Sequence, residues 1–233
     1  MYKIITRFSV AAMVSLISIG AQAVPVTFDK LTGITGGSIA GTAVYRADLS
    51  GVGLSNLLSI SIKDVSGGFG GATGQFSGFD LDAILLSNIL CADATCAAGL
   101  TGLNVFDYAG AGTIFNEGTQ RAPVDAKLFG TDGGGSNVDN SVATLGVFDG
   151  ESTTAIPGAD GFLSMGDFGE IIFNLTSAVS TSGLYLYIGE VGDNGEVAAS
   201  SIEVSDRPQD IPEPSILALL GAGLVGLVAA RRR

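Results

Sequence analysis

Carboxylates and a single pair of thiols are the side chains of this 233-residue sequence best suited by type and spacing to do chemistry. The chain contains no histidine. Ser-His-Asp and Cys-His nucleophilic catalysis are therefore excluded, as is every zinc site built on imidazole. The acids fall into several clusters. Asp80 and Asp82 flank Leu81, a spacing that puts both on one face of a strand roughly 7 Å apart. Asp193, Asn194 and Glu196 offer oxygens around a turn, as do Asp132, Asn137 and Asp139. No cofactor is implied, and calcium, which takes six to eight oxygens, is the one ion these clusters could suit. Neither loop has EF-hand spacing. The run from Gly67 to Ala72 starts like a β-helix calcium repeat, yet Ala72 stands where the aspartate is needed. The more ordinary role of such acids is as solvated turn formers.

A glycoside hydrolase needs two carboxylates and no histidine, and Glu170 and Glu190 are the pair least at odds with that role. Strand-lining glutamates ordinarily face water, however, and the absence of tryptophan leaves no strong platform for stacking sugars. The sequence is read as non-enzymatic. Between residues 24 and 210 there are six basic residues against 22 acids. A surface so acidic repels phosphate backbones, which makes nucleic acid a poor partner.

Both ends of the chain carry targeting features. Lys3 and Arg7 precede an apolar run over 8–20, and Ala21-Gln22-Ala23 forms a small-residue cleavage site, so the mature chain is expected to begin at Val24. At the other end Pro212-Glu213-Pro214 precedes sixteen uncharged residues, 215–230, and then Arg231, Arg232 and Arg233. As a helix those sixteen residues span roughly 24 Å, which crosses a bilayer with local thinning or snorkelling arginines. The positive-inside rule keeps the arginines, and Lys3 and Arg7, in the cytoplasm and places the body outside. Gly221, Gly223 and Gly226 match a dinucleotide fingerprint in spelling alone, since no strand precedes them and no acid follows. Ala218, Ala222, Gly226 and Ala230 instead make a small-residue helix face.

A Pro-Glu-Pro motif, a short Leu/Gly/Ala helix and a terminal Arg cluster together resemble the PEP-CTERM sorting signal recognised by exosortase membrane proteases of Gram-negative bacteria. The resemblance covers residues 211–233. It implies a transient membrane anchor, with exosortase cutting near Pro212-Glu213-Pro214 and releasing or re-attaching the body, and it fits the Sec export that the N-terminal signal predicts. It also implies a surface or exopolysaccharide-associated protein. The flanking prolines agree with this, because they keep the segment extended and open to a protease. Export also carries Cys91 and Cys96 into an oxidising space, where a disulfide closing a small loop is expected.

The elements that must hold these residues are short strands. Alternating or apolar runs at 38–49, 57–65, 75–86, 143–148, 169–175, 184–191 and 197–204 are separated by Gly-, Asn- and Asp-rich turns. In 57–65, Leu58, Ile60 and Ile62 share one face. Asp193-Asn194-Gly195 between the last two runs predicts a hairpin. Residues 99–142 are the least regular. The pattern predicts an all-β, antiparallel sandwich of jelly-roll type. The expected organisation is a signal peptide (1–23), a sandwich body (24–204), a linker holding the motif (205–214), a transmembrane helix (215–230) and a cytoplasmic Arg cluster (231–233). The expected function is a non-enzymatic structural or adhesive role at the cell surface or in the extracellular matrix. The alternative is a carbohydrate-binding jelly roll that engages exopolysaccharide, with or without calcium.

Overall fold

A computed structural model describes residues 23–37, 41–151, 159–195 and 202–209. The expected signal run, transmembrane helix, Pro-Glu-Pro motif and Arg cluster lie outside the described residues. No helix among the described residues is long and apolar enough to cross a membrane.

Among the described residues, ten strands form two antiparallel five-stranded sheets. The first sheet runs, in spatial order, β1 (Ala23–Val26), β10 (Ile202–Ser205), β4 (Leu57–Lys63), β8 (Glu170–Val179) and β6 (Thr113–Asn116). The second runs β2 (Asp29–Lys30), β3 (Thr42–Asp48), β9 (Tyr185–Val191), β5 (Asp80–Ser87) and β7 (Leu163–Ser164). The described residues also include two short helices, α1 (Ala94–Ala98) and α2 (Asn140–Ala143).

Period-2 alternation explains the first sheet. Ile60 and Ile62 of β4, Ile171, Phe173 and Leu175 of β8, and Ile202 and Val204 of β10 all enter one core. Ser59, Ser61 and Lys63 point the other way. The second sheet supplies Ala47, Leu81, Ile84, Leu86, Leu163, Leu186 and Ile188 to the same core, so the two sheets pack face to face. The pairing of β4 with β8 shifts register between Ser59 and Leu57. Leu57 therefore turns into the core and Leu58 is left half-buried, reversing the expected facing of those two residues.

The second sheet is covered on its outer side too. A second apolar cluster joins Val44, Ala83, Leu85 and Tyr187 to Leu31, Phe148, Cys91, Ala94 and Ala97. This is why β5 is buried along its whole length. The Cys91–Cys96 disulfide forms as expected, with an S–S distance of 2.03 Å. Asp93 caps α1 by accepting from Cys96 N at 2.8 Å. The buried Tyr187 hydroxyl accepts from Cys91 N at 2.8 Å and donates to Ile89 O at 2.7 Å.

Three further expectations are corrected. The run at 143–148 is not a strand: α2 ends at Ala143, Thr144 adopts φ +41°, and Ala143, Leu145 and Phe148 are buried from a turn. The run at 75–86 begins with a single 3-10 turn (Gly74–Phe76), and β5 starts only at Asp80. The hairpin at 193–195 does not form. β9 already has β3 and β5 on its two sides and offers no free edge, so the chain crosses to the first sheet and β10 enters between β1 and β4. From β3 to β10 every consecutive strand changes sheet, and β2–β3 is the only sequential pair in one sheet among those described.

Phe173 is fully buried, with edge contacts to Phe106 and Tyr108. Phe173→Ala is expected to cost about 3–5 kcal/mol in denaturant unfolding. Cys91→Ser, which opens a six-residue loop, is expected to cost about 2 kcal/mol in the same assay.

Candidate functional site

Asp64, Asp167 and Glu170 lie at one end of the sandwich. β4 ends there at Lys63, β8 starts opposite it at Glu170, and β6 ends beside them at Asn116. The loops 64–79, 117–125 and 165–169 therefore meet at this end, with the start of β5 against them through Met165 N donating to Phe79 O. The close approach requires glycine. At Gly78, with φ +77°, a Cβ would lie 2.2 Å from the Gly166 carbonyl carbon. The opposite end holds the terminal pairing of Ala23, the residue before the expected signal cut, with Ser205.

Asp64 organises the acidic end. Fully buried, it accepts from Ser66 N and Phe79 N, both at 3.2 Å, from Phe168 N at 2.9 Å, and from Ser66 Oγ. One carboxylate thus pins both ends of the 64–79 loop to the 165–169 loop. Beside it Arg121 forks onto Asp167, with Nη2 at 2.6 Å and Nε at 3.0 Å from Oδ1. The same guanidinium donates to Gly70 O, tying down the glycine-rich loop.

These supports display apolar residues. Phe69 is 77% exposed and Phe168 is 62% exposed, and Val65 of the same loop group is exposed as well. Phe168 has φ +65°, a left-handed conformation that is costly for an aromatic residue. The Asp64 bond to its amide and the flanking Arg121–Asp167 pair hold it there.

The acids singled out in the sequence have separate partners. Asp80 accepts from Ser164 Oγ. Asp82 accepts from Thr42 Oγ1 at 2.5 Å and from the amides of Gly150 at 2.9 Å and Asp149 at 3.2 Å. Asp193 pairs with Lys30, Asn194 follows it in an exposed turn, and Glu196 lies outside the described residues. Asp132 accepts from Asn137 Nδ2 at 2.9 Å, which holds its carboxyl below the usual range, and its remaining bonds come from its own loop. Asp139 caps α2. Among the described residues no group of three acids or cysteines could hold a metal ion.

Glu170 accepts from Ser61 Oγ at 2.7 Å on the outer face of the first sheet. Glu190 stands in the second sheet, fully buried, and neither of its carboxyl oxygens has a hydrogen-bond partner. The Asp193 amide comes close enough to favour its charge slightly, without hydrogen-bonding geometry. The two glutamates do not face a common cleft.

Burial pushes the Glu190 carboxyl up to about 9, aided by the charges of Asp80 and Asp193. Burial raises Asp80 to about 8 and Asp82 to about 7, against the opposing pull of their hydrogen bonds. Glu190 is thus neutral at pH 7, which is how it survives without a partner.

Sequence reasoning missed Asp64, the Arg121–Asp167 pair, the display of Phe168, and the surroundings of Asn174. The Asp64-Val65-Ser66 spacing is a legible turn signal; nothing in the sequence marks Phe168. Asn174 begins the glycosylation sequon Asn174-Leu175-Thr176, but its carboxamide is engaged by the backbone of Gln209, at 2.8 and 3.0 Å. An attached glycan would break one of these bonds.

Residues 210–233 match the PEP-CTERM protein-sorting motif. The chain carries this signal, and with it the address of an exported protein passed to exosortase at the membrane for sorting to the cell surface. No curated protein and no solved structure matches the chain.

The three raised carboxyls set the pH dependence of stability. Unfolded, they titrate near 3.8–4.5, so the folded state holds more protons from there up to about 7, 8 and 9. Their stabilisation is complete below pH 4 and is lost as pH rises through 9. The melting temperature of the body is expected to fall from pH 5 to pH 9.5. Glu190→Gln should flatten that fall by up to about 1.4 kcal/mol per pH unit. An unchanged slope in the variant would refute the assignment.

Proposed function

We propose that the body is a non-catalytic structural or adhesive element, delivered to the cell surface or extracellular matrix and freed from its anchor by removal of the tail. The observation that carries this reading is the fate of the acids. Asp64, Asp80, Asp82, Asp132 and Asp139 are all bonded to the protein's own loops, caps and hydroxyls, and Glu170 and Glu190 stand in different sheets. A proton-transfer pair needs two carboxyls aimed at one substrate. The sandwich instead spends its polar groups on rigidity, as suits a load-bearing or display role.

Intact-mass measurement on the protein from an exporting host tests this reading. Loss of residues 1–23, loss of the tail near Pro212 and a two-proton deficit for the disulfide are expected. An uncut cytosolic chain would overturn it. Hydrolysis of a polysaccharide panel that is abolished by Glu170→Gln would replace it with an enzyme.

One observation favours exopolysaccharide binding as a second reading. Phe69 and Phe168 are held exposed at the end away from the Ala23–Ser205 pairing, and Phe168 keeps a strained backbone to stand there. Aromatic faces stack on sugar rings, and the strain serves display rather than stability. On a glycan array this reading expects binding that Phe69→Ser with Phe168→Gly removes, while the melting temperature holds or rises. A chelator arm reports any role of calcium. An array without signal leaves the structural reading alone.

A further inference from the structure

The last residues before the sorting motif are fastened to the body by side chains from two strands. Beyond β10, Asp206 and Arg207 bend the chain over the outer face of the first sheet. Ser59 Oγ of β4 donates to Arg207 O at 2.7 Å. One strand further on, Asn174 of β8 holds Gln209 by both backbone groups. Its Oδ1 accepts from Gln209 N at 2.8 Å, and its Nδ2 donates to Gln209 O at 3.0 Å. A carboxamide offers one donor and one acceptor side by side, so it pairs with this backbone as a neighbouring strand would. Pro208 between the two anchor points fixes its own φ and keeps the strap extended.

Pro212 follows Gln209 by three residues, at most about 10 Å of extended chain. We propose that this strap is a spacing device for tail removal. While Asn174 holds Gln209, chain length alone limits Pro212 to about 10 Å and Pro214 to about 17 Å from the anchor point on the sheet face, a short tether that hinders entry into a membrane protease. When the strap lifts, residues 206–209 join the free chain and its reach from Ser205 to Pro212 grows to about 25 Å. Asn174 is a positioning residue that acts through Gln209 and does not touch the bond that is cut. The inference rests on the tail being an exosortase substrate.

The test uses the full chain in an exporting host that carries exosortase, with tail loss followed by pulse-chase and intact mass. Three variants are compared: Asn174→Ala, a four-residue Gly/Ser insertion between Gln209 and Asp210, and the two combined. Asn174→Ala is expected to speed tail loss about tenfold, the scale of two neutral hydrogen bonds released in part, and the insertion is expected to match it because it supplies the missing chain length directly. The combination should be no faster than either alone, because both relieve the same shortage of chain. The insertion leaves the body untouched, so it decides the matter even if Asn174→Ala folds poorly. An insertion that leaves the rate unchanged, or slows it, overturns the spacing device while a cleaved native tail leaves the sorting assignment standing. A native tail that is never cut overturns both.

Discussion

Two sheets closing on one apolar core provide the contact on which every other feature depends. From β3 onward each strand leaves the sheet of its predecessor, so a strand finds its hydrogen-bonding partners only when distant parts of the chain have already met. β10 enters between β1 and β4, and β9 between β3 and β5. Burial of Ile60, Phe173, Ile188 and Leu186 must therefore drive assembly, because among the described residues no sequential strand pair beyond β2–β3 shares a sheet.

That topology also explains the chemistry of the acids. Loops that cross between sheets carry backbone groups into partly buried places, where each amide needs an acceptor. Asp64 and Asp82 supply acceptors to crossing loops, and Arg121 with Asp167 ties down a third. The carboxylates that make the composition look like a catalytic or metal-binding inventory are in large part internal braces. Glu190 is the exception, lacking a partner and held neutral by its surroundings.

The two ends of the sandwich have different characters. Ala23 and Ser205 lie side by side at one end, and residues 206–209 continue from there across β4 and β8. Braced loops and exposed Phe69 and Phe168 occupy the other.

Much of this was legible in the residues alone. The sorting signal is contiguous, and its parts are readable residue by residue: two prolines, an apolar run and a cluster of arginines. The all-β class follows from two-residue alternation, and with only two cysteines the disulfide had a single possible pairing. Strand partnership was not legible. Asn194-Gly195 encodes a tight turn, but a turn makes a hairpin only if the strand before it has a vacant edge, and β9 has none. The short strands β1, β2, β6 and β7 exist because neighbours distant in sequence offer them an edge, and no periodicity within two to four residues can announce that. Likewise, whether an aspartate is a solvated turn former or a buried brace depends on which loops cover it. Alternation and motif are properties of neighbouring residues; partnership and burial belong to the assembled core, and only the tertiary structure could decide them.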